Sequence, residues 1–245
     1  MINEKPICYW VNRSYETVPS DIEHVILVNC TGITVQDGDV GKSYKEILLV
    51  YTNNSNIRNT NVPIRLVSSS HNTIAHNSGT VQLENSSSNT ITENTIKYAN
   101  RMIYLTGSSG NIVSGNTVKD GNGILIYYSS NDNIISNNTL INNDQGIHLT
   151  YSSNGNTVSE NHIKYNKIGI FVQDSSENLI AGNMIIRNDD WGMQLEGGQH
   201  GNSIYHNSFI DNRRWKTGLQ VSIPGVNVSG GWEDGNPNVW DDGEK

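Results

Sequence analysis

Residues 156–188 read NTVSENHIKYNKIGIFVQDSSENLIAGNMIIRN. Within this stretch Asn156-Thr-Val-Ser-Glu-Asn161 returns 22 residues later as Asn178-Leu-Ile-Ala-Gly-Asn183, and Ile163 returns as Ile185. Neither copy has a helical pattern. Working outward, the Asn-x4-Asn pair recurs at Asn56/Asn61, Asn72/Asn77, Asn89/Asn94, Asn111/Asn116, Asn133/Asn138 and Asn202/Asn207, after a degenerate copy at Gly32/Asp37. Each period holds three short apolar pieces with strand alternation, the last of the type Gly146-Ile-His-Leu149 or Gly169-Ile-Phe-Val172. A leucine-rich repeat has a similar period but needs several Leu and a helical or extended return in each unit. Three short strands per turn instead predict an all-β, right-handed, single-stranded parallel β-helix. About nine to ten coils at about 4.8 Å each give a rod roughly 45 Å long. The repeated asparagines then read as architecture: they tolerate left-handed corners, and their amides ladder from coil to coil.

Composition agrees. Charged residues make up 16% of the 245, the apolar fraction is 35%, and Asn, Ser, Thr and Gly fill the difference, which favours strands and turns. A formal net charge of −8 argues against nucleic acid as a partner, and no apolar run is long enough to span a bilayer. Met1-Ile-Asn-Glu-Lys-Pro6 has no signal-peptide pattern, while six Asn-x-Ser/Thr sequons occur, at Asn12, Asn29, Asn53, Asn85, Asn137 and Asn227. Cys8 and Cys30 lie about one repeat apart, as a disulfide or as two buried thiols. Three regions follow: 1–31 as an N-terminal cap with entry strands, 32–223 as the β-helix, and 224–245 as a Gly/Trp/Asp-rich C-terminal cap or tail.

Alternation along the Gly-Ile-x-Leu strand sets two inward columns, Ile103, Ile124, Ile147, Ile170, Met193 and Leu105, Ile126, Leu149, Val172, Leu195. One outward stripe then runs Leu48, Arg65, Gln82, Tyr104, Leu125, His148, Phe171, Gln194, Gln220. The next runs Val50, Val67, Glu84, Thr106, Tyr127, Thr150, Gln173, Glu196, Ser222, with Tyr128 and Tyr151 at the following corner. Rings beside amides and carboxylates suit a sugar, because rings stack on its C–H face and polar groups meet its hydroxyls. Beyond the stripe, the loops Asn188-Asp189-Asp190-Trp191 and Asp211-Asn-Arg-Arg214-Trp215 are enlarged and bring acids, arginines and tryptophans together. The candidate binding set is therefore Tyr104, Tyr127, Tyr128, His148, Tyr151, Phe171, Asp189, Asp190, Trp191, Gln194, Glu196, Arg214 and Trp215. The histidines fall in different columns and give no tight ligand set, so neither a metal nor a cofactor is called for. Asp144, Asp189, Asp190 and Glu196 are the acids from which a glycosidase pair would be drawn.

The Asn-Thr-Ile-x-x-Asn-x-Ile and Gly-Ile-x-Leu repeats, the segment KPICYWVNRSYETVPSDIEHVILVNCTGITV (residues 5–35) and the tail NVWDDG (238–243) resemble the NosD-like β-helix proteins. Their repeat belongs to the CASH group, named for carbohydrate-binding proteins and sugar hydrolases. The resemblance covers nearly the whole chain and implies an archaeal or bacterial protein that is exported or surface-attached. In that family the Lys-Pro-Ile-like segment follows earlier coils and the tail continues further, so this chain looks like a domain of a longer exported protein. That would place it outside the cell without a signal peptide of its own. The family name implies copper delivery to nitrous oxide reductase, which no Cys/His/Met cluster supports here. Pectate lyases and alginate epimerases share the fold, but no Asp-Pro-His-Asp-like segment is present. Two functions follow as expectations: a non-catalytic surface module that binds polysaccharide or glycan or spaces neighbouring domains, and, as alternative, a lyase, epimerase or hydrolase using acids on the Gly-Ile-x-Leu face.

Overall fold

The computed structural model describes residues 6–20, 22, 24–36, 46–197, 200–212, 221–222 and 239–241. Within them every strand is short, all the ladders are parallel and there is no α-helix. Three sheets wrap one core as a right-handed solenoid of about eight turns. The long sheet has eleven strands, from Ile7–Val11 to Val221–Ser222; a second has nine, from Thr34–Gln36 to Ser203–Tyr205; a third has seven, from Thr95–Lys97 to Val239–Asp241. The first copies build strands in the first two sheets alone. Successive coils there, such as Thr52 to Ser69 to Ser86, are spaced by 17 residues.

Each strand contributes one or two side chains to the interior, and in register they stack into columns. Ile103, Ile124, Ile147, Ile170 and Met193 form one and Leu105, Ile126, Leu149, Val172 and Leu195 another, all fully buried. The second and third sheets add Ile91, Val113, Ile135, Val158 and Ile180, then Ile96, Val118, Leu140, Ile163, Ile185 and Phe209. The glycine that opens the Gly-Ile-x-Leu strand has a packing reason. A Cβ on Gly146 would lie 2.5 Å from Gly169 O, and one on Gly169 would lie 2.3 Å from Gly192 O, so only hydrogen fits between these coils.

The asparagines form buried ladders. Asn161 Oδ1 accepts from the backbone N (2.9 Å) and Nδ2 (3.0 Å) of Asn138, while Asn161 Nδ2 donates to Ile135 O (2.9 Å) and Asn183 Oδ1 (2.9 Å). The same pattern links Asn72, Asn89, Asn111, Asn133, Asn156, Asn178 and Asn202. A third ladder, Asn143, Asn166, Asn188 and Asn212, lies five residues beyond the second; its spacing is readable in the sequence and went unread. Two expectations are corrected. The first repeat pair is not Asn56/Asn61: Ser55 and Thr60 occupy the ladder positions, their backbone N atoms donating to Asn72 and Asn77. The left-handed residue is not the ladder asparagine but the one before it, such as Glu160 at φ 55°, His206 at φ 53° or Arg187 at φ 49°. The asparagine serves through its amide, which satisfies corner backbone groups that the sheets leave unpaired. Asp37 lies outside the described residues.

At the ends, the strands Ile7–Val11 and His24–Val28 are the first two of the long sheet. Cys8 pairs in register with Val25, and Cys30 heads a Ser/Thr column in which Thr52 Oγ1 receives its backbone N–H at 3.2 Å. Both are buried free thiols, and burial together with Cys30 pushes the Cys8 thiol up to about 11. The last long-sheet strand sits two residues away from expectation: Val221 faces Met193 and Ser222, not Gln220, faces Gln194, and Gln220 lies outside the described residues. Apart from 239–241, which pairs with 208–210, the proposed C-terminal cap lies outside the described residues.

Candidate functional site

The outer face of the long sheet carries the residues singled out above. Its registered stripe is Leu48, Arg65, Gln82, Tyr104, Leu125, His148, Phe171 and Gln194. The neighbouring stripe is Val50, Val67, Glu84, Thr106 and Tyr127, then breaks: Thr150 is buried and its Oγ1 donates to Gln173 Oε1 at 3.3 Å. The corners after Tyr127 and Thr150 each carry an extra residue. Where other coils turn with one left-handed residue (Gly107, φ 56°), these coils use two in succession, Tyr128 and Ser129, then Tyr151 and Ser152. That bulge swings both tyrosines out of the corner and lays their rings together.

The result is one aromatic cluster. Tyr128 and Tyr151 stack at 4.9 Å and 15°, and Tyr127 sits edge-on to both, at 4.7 and 4.8 Å. Tyr104 lies 6.0 Å from Tyr127, and His148 stacks on Phe171 at 4.7 Å and 19°. The Arg101 guanidinium covers Tyr104 at 4.6 Å, a cation–π contact that leaves Tyr104 only 8% exposed. Nothing in the repeat marks Arg101, which is why it was missed.

Electrostatics differ across the cluster. Burial and a hydrogen bond with Tyr151 push the Tyr127 phenol up to about 12. Burial lowers His148 to about 4, against an opposing pull from Asp144, so its imidazole is neutral; its Nε2 is buried with no partner. Gln194 Nε2 donates to Glu196 Oε1. At the sheet edge, Asp144, Lys167 and Asp190 precede the registered residues Gln145, Ile168 and Trp191 and form a row, with Lys167 Nζ 3.7 Å from Asp144 Oδ1. Asp189 is exposed beside it.

Of the expected binding set, Tyr104, Tyr127, Tyr128, His148, Tyr151 and Phe171 come together, while Gln194 and Glu196 continue the face one coil on. Trp191 is corrected. It opens the strand Trp191–Glu196 rather than ending a loop, and it is 7% exposed, so its ring packs within the fold. Long-sheet strands have lengthened here from four residues to six, which absorbs the tryptophan. Arg214 and Trp215 lie outside the described residues.

Fold and face together define a polar-cornered parallel β-helix that displays an aromatic patch. Residues 63–221 match the family described as periplasmic copper-binding protein (NosD), and the chain belongs to that family. No curated protein matches. Among solved structures, the Dettilon tailspike protein (gp208) is similar at 14% identity with a TM-score of 0.55, covering 96% of this chain and 60% of that one. The periplasmic alginate epimerase AlgG gives 16% identity and a TM-score of 0.48 over 82% of this chain and 62% of that one. A mannuronic acid specific polysaccharide family 6 lyase from human gut microbiota gives 12% identity and 0.48, covering 92% and 80%. The chain thus spans under two thirds of the length of the epimerase and the tailspike. Copper in the family description asks for converging soft or imidazole donors. Among the described residues no three of His, Cys, Asp and Glu converge on one point, and the buried imidazole of His148 is ringed by aromatics, so this donor set does not fit a copper centre.

Proposed function

We propose that this chain is a non-catalytic module, acting at the cell surface or in the periplasm, that binds a neutral stretch of polysaccharide on the outer face of its long sheet. It does so beside other domains of a longer exported protein. The observation that carries this reading is the bulge-built platform of Tyr127, Tyr128 and Tyr151 continuing into His148 and Phe171. Sheet packing does not need two extra corner residues, whereas a sugar ring needs an open, rigid aromatic surface. Gln194 and Glu196 offer polar groups along the same face. From Tyr104 to Glu196 the face spans four coil steps, roughly 20 Å, which suits several sugar units of a polymer.

An enzyme acting on the same class of ligand is the second reading, favoured by the Asp144, Lys167 and Asp190 row at the edge of this face. Against it, the His148 Nε2 that would accept a proton is buried, and Asp144 is already paired with Lys167. A glycan array with the purified chain, repeated with Tyr127→Ala/Phe171→Ala, tests the binding reading. Turnover of a bound polysaccharide that disappears in Asp190→Asn or Glu196→Gln replaces it with the enzymatic one.

A further inference from the structure

The third sheet presents a different outer face. Lys97, Lys119, Ile141 and Lys164 are successive partners in register, so three ammonium groups stand in one line along the solenoid axis. Coil spacing puts Lys97 and Lys119 about 5 Å apart at the backbone, with Lys164 about 10 Å further on. Like charges so placed repel one another. Among the described residues none of the three has a carboxylate within salt-bridge distance. Of the acids at the adjoining corner, Asp211 pairs with Arg187 at 3.1 Å, and Asp120 accepts only the neutral Asn142 Nδ2, at 2.7 Å, so it offsets part of the charge beside Lys119. At the adjoining corner Tyr98, 79% exposed, follows Lys97, and exposed Tyr165 follows Lys164, with the Lys164 Nζ 6.0 Å from the Tyr165 ring. Both tyrosines occupy the corner position that is left-handed in each of these coils, Tyr98 at φ 58°, Asp120 at 64°, Asn142 at 56° and Tyr165 at 57°.

On a chain with a formal net charge of −8, this line is a local reversal of sign that folding does not require. We propose that it binds a linear acidic polysaccharide, with carboxylates over Lys97, Lys119 and Lys164 and sugar rings against Tyr98 and Tyr165. Charge density selects this ligand over duplex DNA. Duplex DNA carries a charge about every 1.7 Å, so three lysines on an acidic protein neutralise little of it. A uronate polymer, with one charge per sugar, matches a ladder offering at most one lysine per coil. This face lies on a different sheet from the tyrosine platform, so the two are separable by mutation.

The test is affinity electrophoresis in gels containing polygalacturonate, its fully methyl-esterified form, or a single-stranded oligonucleotide, at about 20 mM and about 0.5 M salt. The unaltered chain is retarded by polygalacturonate at low salt and released at high salt. Lys97→Gln/Lys119→Gln/Lys164→Gln weakens that retardation roughly tenfold or more. The corresponding Lys→Arg triple retains it, and so does Tyr127→Ala/Phe171→Ala. Should the glutamine triple fail to melt cooperatively, Lys119→Gln alone gives the same comparison with a smaller loss. Absence of retardation, undiminished retardation of the folded glutamine variant, or equal retardation by the methyl ester or the oligonucleotide overturns the proposal.

Discussion

At the residue scale the fold turns on amide side chains used as internal backbone. Asn161 closes four hydrogen bonds, two accepted from Asn138 and two donated to Ile135 and Asn183. Asn161→Leu keeps the branched shape, adds bulk and removes all four, leaving the Asn138 backbone N–H and the Ile135 carbonyl without these partners, while Asn138 Nδ2 keeps Val113 O. At about 1–3 kcal/mol for each stranded group, the substitution should cost about 3 kcal/mol or more, read as a drop in denaturant midpoint. His148 makes a second prediction. Its pKa near 4 in the folded protein lies below the value of about 6.5 in an unfolded chain, so the unfolded chain takes up the proton first as pH falls. Stability is therefore unaffected above about pH 6.5 and lost progressively down to about pH 4, by up to about 3 kcal/mol. His148→Phe, which preserves the stack on Phe171, should flatten that part of the pH profile. Equal slopes for the two proteins between pH 7 and pH 4 would show that His148 does not carry the effect. The asparagine columns were legible because they recur at fixed spacing. Their role was misjudged at one point: the strained torsion falls on Glu160 and its counterparts, residues with no common chemistry to give them away.

At the element scale the Gly-Ile-x-Leu strands stack with no room for a side chain at their first residue. Gly169→Ala would drive a Cβ to 2.3 Å from Gly192 O and 3.0 Å from Ile185 Cγ2. Neither atom has room to retreat in a stack of coils, so destabilisation of about 1–3 kcal/mol or more should appear as a lowered Tm. An unchanged Tm would mean the coils part more easily than their hydrogen bonds suggest. Alternation alone placed the inward columns and most of the outward stripe correctly, since one face of each strand must be buried. It failed where the count changes inside a coil. An extra residue at Tyr128-Ser129 and at Tyr151-Ser152 reshapes the corner beside the buried Thr150, and the lengthened strand Trp191–Glu196 draws Trp191 into the fold. Measured from the Ser108, Ser130, Ser153 and Ser175 column, those insertions can be found in the sequence. The asparagines three residues further on, Asn111, Asn133, Asn156 and Asn178, show the same one-residue excess.

At the scale of the whole molecule, the solenoid separates its tasks by face. Hydrophobic columns and amide ladders hold the interior, the long sheet displays aromatics, and the third sheet displays lysines. Fold class was legible because a period near 22 residues with three short strands admits few architectures. The composition of the aromatic face was legible from alternation, whereas its shape depends on bulges and on Arg101, which belong to no repeat. The central claim is that this shape binds sugar, and the direct measurement is calorimetric titration of the polysaccharide selected on the array into three proteins: the unaltered chain, Tyr127→Ala/Phe171→Ala and Lys97→Gln/Lys119→Gln/Lys164→Gln. Shallow stacking contacts of about 1 kcal/mol each place the affinity in the micromolar to millimolar range. The account predicts that binding of a neutral glycan disappears in the aromatic double variant, survives in the lysine variant, and leaves both with the melting temperature of the unaltered chain. Undiminished binding by the folded aromatic variant would contradict it.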